Sequence, residues 1–135
     1  MDESGGKRSV TVLYIEDNEQ NFYLVDFILA SKGFKVVRAH DGIEGLNLVS
    51  DVRPDLILLD IQLPGMDGYA VARELRKKVE LEKIPIIALT SYAMEEDREK
   101  AMSAGCTDHI EKPINPKMFF ERINKHIIML NEGGH

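Results

Sequence analysis

Five times over, a short apolar run of strand length is followed by a segment whose apolar residues recur at helical spacing. This alternation constrains the fold of the chain more than any other feature it has. Residues 10–15 are apolar and β-branched and end at Glu16-Asp17. Residues 18–32 then carry Phe22, Val25, Ile28 and Leu29 on one helical face, and Gly33 stands where a helix C-cap glycine belongs. Residues 34–39 read as a second strand. Asp41 to Glu44 has the form of a capping box, with Leu46 and Val49 continuing the apolar face. Leu56, Ile57, Leu58 and Leu59 form the third run, which stops at Asp60. Asp67 then caps a helix whose expected buried stripe is Val71, Leu75 and Val79. The fourth strand spans residues 84–90, with Pro85 near its start, where a missing N–H is tolerated. The helix after it, residues 94–104, is thinly apolar. A short fifth strand covers residues 108–111, and Asn115-Pro116 opens a last helix anchored by Phe119, Ile123, Ile127 and Leu130.

Strand–helix alternation with nearly continuous apolar strands predicts an α/β domain, a parallel sheet covered by helices on both faces. With 135 residues there is room for one good core and not two. Residues 8–130 form that domain, and residues 1–7 and 131–135 read as flexible tails. A single cysteine, Cys106, excludes an internal disulfide, and with the absence of a secretory signal it fits a reducing, cytoplasmic setting. No apolar run is long enough for a membrane helix. The net charge of −6 argues against a nucleic-acid surface, which needs clustered Lys and Arg.

In an open parallel sheet, ligands gather beyond the carboxyl ends of the strands. The first strand ends in Glu16-Asp17, the third in Asp60, the fourth in Thr90-Ser91, the fifth in Lys112-Pro113. Taken singly these are ordinary: carboxylates favour helix starts, and a lone lysine is most often a solvated charge. Together they place three carboxylates, a hydroxyl and an ammonium on one edge. Carboxylates so close repel and need compensation, and an oxygen-only ligand set suits Mg2+. With the charge on a phosphoryl group neutralised by Mg2+ and Lys112, and Thr90 donating to the same oxygens, Asp60 is set to act as a nucleophile toward phosphorus. Neither a GxxxxGK[ST] loop nor a GxGxxG motif is present, so the phosphoryl donor must arrive bound to something else.

The blocks YIEDNE, LILLDIQLPGMDG, IIALTSYA and IEKPI resemble, in order and spacing, the signature blocks of the response-regulator receiver domain of two-component signalling. The resemblance covers residues 8–130. It implies a flavodoxin-like, doubly wound five-stranded parallel sheet of order 2-1-3-4-5 with five helices. It further implies that Asp60 accepts a phosphoryl group from a sensor histidine kinase or histidine phosphotransfer protein. Asp17 would bind Mg2+ directly and Glu16 through water, with the backbone carbonyl of Gln62 completing the protein ligands. Thr90 and Lys112 match the family's phosphoryl-binding hydroxyl and lysine, and the Lys112–Pro113 bond is expected to be cis.

The resemblance departs at one position. Three residues before the lysine, where the family most often carries Tyr or Phe as the switch residue, this chain has His109. A histidine can still fill the space Thr90 vacates when it turns toward a phosphoryl group, although it is smaller and more polar than the usual aromatic. Tyr92 is a second candidate for an aromatic contribution. The function expected is a phosphorylation-controlled switch acting on a downstream protein target. Its output surface is formed by the fourth helix, fifth strand and fifth helix, a face that would also suit a homodimer. Two other origins of the same site remain: a receiver excised from a hybrid kinase or larger regulator, and a Mg2+-dependent phosphohydrolase working through an aspartyl phosphate. The hydrolase would need a second acid near Asp60, and two residues on stands Gln62. A flavin-binding relative of the same architecture leaves the acidic trio unexplained.

Overall fold

The computed structural model describes residues 9–63, 65–91 and 94–133, with side chains described as far as residue 129. Its elements are β1 (Thr11–Ile15), α1 (Glu19–Ala30), β2 (Lys35–Ala39), α2 (Gly42–Val52), β3 (Leu56–Asp60), α3 (Gly68–Arg76), β4 (Ile86–Thr90), α4 (Glu95–Ser103), β5 (Asp108–Glu111) and α5 (Pro116–Gly133), with a single 3-10 turn at Val79–Leu81. The strands form one parallel sheet of order β2-β1-β3-β4-β5. The chain thus winds outward from the β1/β3 pair in both directions, and this pair is the switch point at which a crevice opens.

Strand periodicity sorts the core into two layers. Leu13, Ile15, Ile57, Leu59, Ile86 and Ala88 point to the α2–α3–α4 side, against Val49, Val71, Ala72, Leu75 and Ala101. Val12, Tyr14, Leu56, Leu58, Ile87, Leu89 and Ile110 point to the other, against Val25, Leu29, Phe119, Ile123 and Ile127 of α1 and α5. Every residue of β3 and β4 is buried, which explains why their sequences show no polar alternation.

Helix ends are fixed locally. Asn18 accepts from the Asn21 amide, Asp41 from Glu44, Asp67 from Tyr69 and Asn115 from Met118. At Asp41 the box is not reciprocal: the Glu44 carboxylate takes the amide of His40, one residue earlier than a capping box requires. Gly33 closes α1 with φ of 86°, and the Phe34 amide donates back to Leu29 at 3.0 Å, the longer bond of a Schellman end.

One stripe position moves. Val79 is not on the buried face of α3 but 79% exposed, and Leu81 takes the interior place instead. The helix ends at Arg76 because that guanidinium donates to the carbonyls of Gly105 (2.7 Å), Leu81 (2.7 Å) and Ile84 (2.8 Å), turning the chain into the 3-10 segment. Cys106 is buried beside it, and burial pushes its thiol up to about 11, so it is an inert packing group. The expected positions of Pro64, Tyr92 and the side chain of Leu130 lie outside the described residues. No helix among the described residues is long and apolar enough to cross a membrane.

Candidate functional site

The carboxyl ends of β1 and β3 are adjacent in the sheet, so Asp60 meets the Glu16-Asp17 pair there although it lies 43 positions beyond Asp17 in sequence. Carboxylate oxygens of all three lie within 4.8 Å of one another, and among the described residues this is the group able to hold a metal ion. Glu16 and Asp60 are buried, whereas Asp17 faces solvent. The donor set, hard oxygens with net negative charge, fits Mg2+.

Two of the three carboxylates are held by hydrogen bonds or an ion pair. Glu16 directly follows β1, its amide donating to Ala39 at 2.9 Å. Its carboxylate accepts from the Tyr14 hydroxyl at 2.7 Å and from the Asn18 amide at 3.2 Å. Burial, reinforced by the charge of Asp60, lifts the Glu16 carboxyl above the ordinary glutamate value, and the Tyr14 hydroxyl works against that rise. The Tyr14 hydroxyl is itself driven upward, by burial first and then by Glu16, so it keeps its proton and remains the donor. Asp60 Oδ1 accepts from the Gln62 amide at 2.9 Å, and Lys112 Nζ lies 3.3 Å from the same oxygen. Two backbone bonds bring the remaining strand ends in. The Ile61 amide donates to Leu89 at 3.0 Å and the Lys112 amide to Thr90 at 2.7 Å.

Thr90 is fully buried at the end of β4. The Lys112–Pro113 peptide bond is cis. The Gln62 side-chain oxygen accepts from the Ser91 amide at 3.1 Å, tying the segment after β3 to the segment after β4. A cavity of about 520 Å3 opens beside the cluster, lined by Tyr14, Asn21, Leu24, Ser91, Lys112, Pro113 and Ile114.

His109 is not at the carboxylates. It pairs with Ala88 in the β4–β5 register, which sets it on the sheet face shared by Ala88, Thr90 and the α4 layer. Its Nε2 is buried with no hydrogen-bond partner.

Two residues of the site do not stand out in the sequence. Tyr14 is one, although its place two residues before Glu16, on the same strand face, is a signal in retrospect. Arg38 is the other. It pairs with Tyr14 across β1–β2 and donates from Nε to the Glu16 carbonyl at 3.1 Å and from Nη2 to the Asp17 carbonyl at 2.9 Å. Only the strand order brings it there.

Comparisons with known proteins agree with the fold that carries this site. The family model of the response regulator receiver domain matches residues 12–124. The polar-differentiation response regulator DivK of Brucella anthropi is 40% identical over 117 residues, spanning 87% of this chain and 95% of that protein. Among solved structures, chemotaxis protein CheY4 of Vibrio cholerae matches with a TM-score of 0.84 at 26% identity, over 87% of this chain and 98% of that one. The receiver domain of a sensor histidine kinase from Pseudomonas aeruginosa, solved with a magnesium ion coordinated in its active site cleft, gives 0.81 at 34% identity, over 89% and 98%.

Proposed function

This chain belongs to the response regulator receiver domain family, and on that premise we propose that Asp60 is a phosphoacceptor whose modification switches the protein's affinity for a partner. The observation that carries the reading is the convergence of Glu16, Asp17 and Asp60 within 4.8 Å, with Lys112 at 3.3 Å from Asp60.

Asp17 and Asp60 would hold Mg2+ with the main-chain carbonyl of Gln62, and Glu16 would act through water. When bound, the cation neutralises charge on the oxygens of the transferring phosphoryl group. Asp60 carries out the substitution. One of its carboxylate oxygens attacks phosphorus, a new O–P bond forms, and the bond from phosphorus to the donor's imidazole nitrogen, or to an acyl oxygen, breaks with its electron pair leaving on the donor. Lys112 is placed to take the developing charge on a phosphoryl oxygen, and Thr90 to donate to another. The donor is a phosphohistidine of a sensor kinase or phosphotransfer protein.

The receiver unit spans residues 8–130 in this reading and works in the cytoplasm. Its output runs through Thr90 and His109 to the face made by α4, β5 and α5, where a downstream protein target or a second copy binds. Thin anchoring of α4, in which Ala101 is the one residue buried, supports a helix that shifts at low cost. A phosphohydrolase fits less well. The side chain two residues past Asp60 is the Gln62 amide, which bonds Ser91 and offers no proton to a leaving group.

Intact-mass measurement tests the reading. Acetyl phosphate with Mg2+ should add one phosphate, and both Asp60→Asn and removal of the metal should abolish it. Uptake by the Asp60→Asn protein would refute the assignment, and rapid release of free phosphate without an adduct would favour the hydrolase.

A further inference from the structure

Arg38 lies outside the set of groups that would touch metal or phosphate, yet it contacts the backbone of both residues of the acidic pair. Its fork spans two successive carbonyls, Glu16 at 3.1 Å and Asp17 at 2.9 Å. The guanidinium is itself seated against the Phe22 ring, 5.4 Å from the ring centroid. Phe22 in turn stacks on Tyr14, with centroids 6.0 Å apart and 27° between planes, and the Tyr14 hydroxyl holds the Glu16 carboxylate. The loop between β1 and α1 is thus gripped from its main-chain side by Arg38 and from its side-chain side by Tyr14. Asp17 gains most. Its own carboxylate is exposed, so its direction depends on the backbone that bears it. That backbone is fixed by Arg38 at the Asp17 carbonyl and by the Glu16 carboxylate at the next amide.

We propose that Arg38 is a positioning residue for the metal end of the site, setting Mg2+ affinity through the carbonyls of Glu16 and Asp17. The inference rests on the reading that Glu16, Asp17 and Asp60 bind Mg2+. It makes a claim opposite in sign to simple electrostatics. A guanidinium beside a cation site repels the cation, so on charge alone its removal tightens Mg2+ binding. If its work is positional, removal loosens binding despite the lost repulsion. Residues that orient metal ligands typically contribute ~10-fold or more to affinity.

Calorimetric titration of Mg2+ into the phosphate-free protein separates the two, and it needs no phosphoryl donor. Arg38→Met keeps the apolar stem and removes charge and fork together. Arg38→Lys keeps the charge but cannot span two carbonyls in the same way. Mg2+ dissociation constants raised ~10-fold in Arg38→Met and by a smaller factor in Arg38→Lys are expected. Thermal melts without metal should stay close to wild type, and phosphoryl uptake should recover as Mg2+ is raised. Wild-type affinity in Arg38→Lys, or wild-type or tighter affinity in Arg38→Met, overturns the inference while leaving the metal site standing. The Lys variant is mild enough to decide the matter should the Met variant fold poorly. A wild-type protein that binds no Mg2+, or one whose binding survives Asp17→Asn, overturns the site reading and Arg38's role with it.

Discussion

Lys112 Nζ stands 3.3 Å from Asp60 Oδ1, and both side chains are largely withdrawn from water. A buried carboxylate beside an ammonium is a paired charge at rest, and in the proposed reaction the same ammonium would receive a phosphoryl oxygen. Lys112→Met should slow phosphoryl uptake by ~100-fold. Mg2+ binding should persist and tighten, since a competing cation has gone. Rates of acetyl phosphate labelling and Mg2+ titration measure the two effects separately. Loss of both together would mean that Lys112 supports the fold and not the chemistry.

Glu16 gives a pH prediction. Its carboxyl titrates above the ordinary glutamate value, because of burial and then the charge of Asp60, with the Tyr14 bond opposing. A raised folded-state value means that its favourable contribution is fully present below the unfolded value, 4.5. That contribution is lost as pH rises through the folded value. Metal-free protein should therefore carry a penalty at neutral pH that Glu16→Gln removes. Melting in chelator at pH 7 should show the Gln variant higher by a few degrees, with the advantage shrinking toward pH 4 and Mg2+ affinity reduced. A variant that is less stable at both pH values would contradict this.

Gly68 sits where α3 meets the segment that follows Asp60. A Cβ there would lie 2.5 Å from the Ile61 Cα and 2.7 Å from its carbonyl oxygen, both main-chain atoms with nowhere to retreat. Gly68→Ala should cost about 2 kcal/mol or more of unfolding free energy and disturb Asp60 through Ile61. Urea unfolding and labelling rate should fall together. An Ala variant with wild-type behaviour in both would show that the close approach is soft.

The fold was legible because β3 and β4 are buried on both faces and read as unbroken apolar runs, and because Asn18, Asp41, Asp67 and Asn115 announce the helices that follow. The site was legible through the strand ends, since topology alone carries Glu16, Asp60 and Lys112 to one edge. What escaped depends on side-chain reach. Val79 continues the period of α3, yet the Arg76 clasp ends that helix first. Arg38 is an ordinary strand residue until β2 is known to flank β1.

If the proposed output route holds, substitution at His109 should separate stability from partner affinity. Its Nε2 is buried without a partner, on the face it shares with Thr90 and α4. Replacing an unsatisfied polar atom by an apolar group of similar shape relieves a desolvation cost. His109→Phe should stabilise the protein by about 1 kcal/mol, leave the initial labelling rate unchanged, and alter affinity for the downstream partner. Equal effects on labelling and partner affinity would place His109 in the chemistry.

The central claim is that Asp60, and no other carboxylate, carries the phosphoryl group. Borohydride reduction of the labelled protein, followed by peptide sequencing in a mass spectrometer, reads this directly, because an aspartyl phosphate is reduced to homoserine and a free carboxylate is not. The account predicts homoserine at position 60 alone, formed only when Mg2+ was present during labelling. Homoserine at position 17, or a phosphate that resists borohydride and maps to Thr90 or His109, would contradict it.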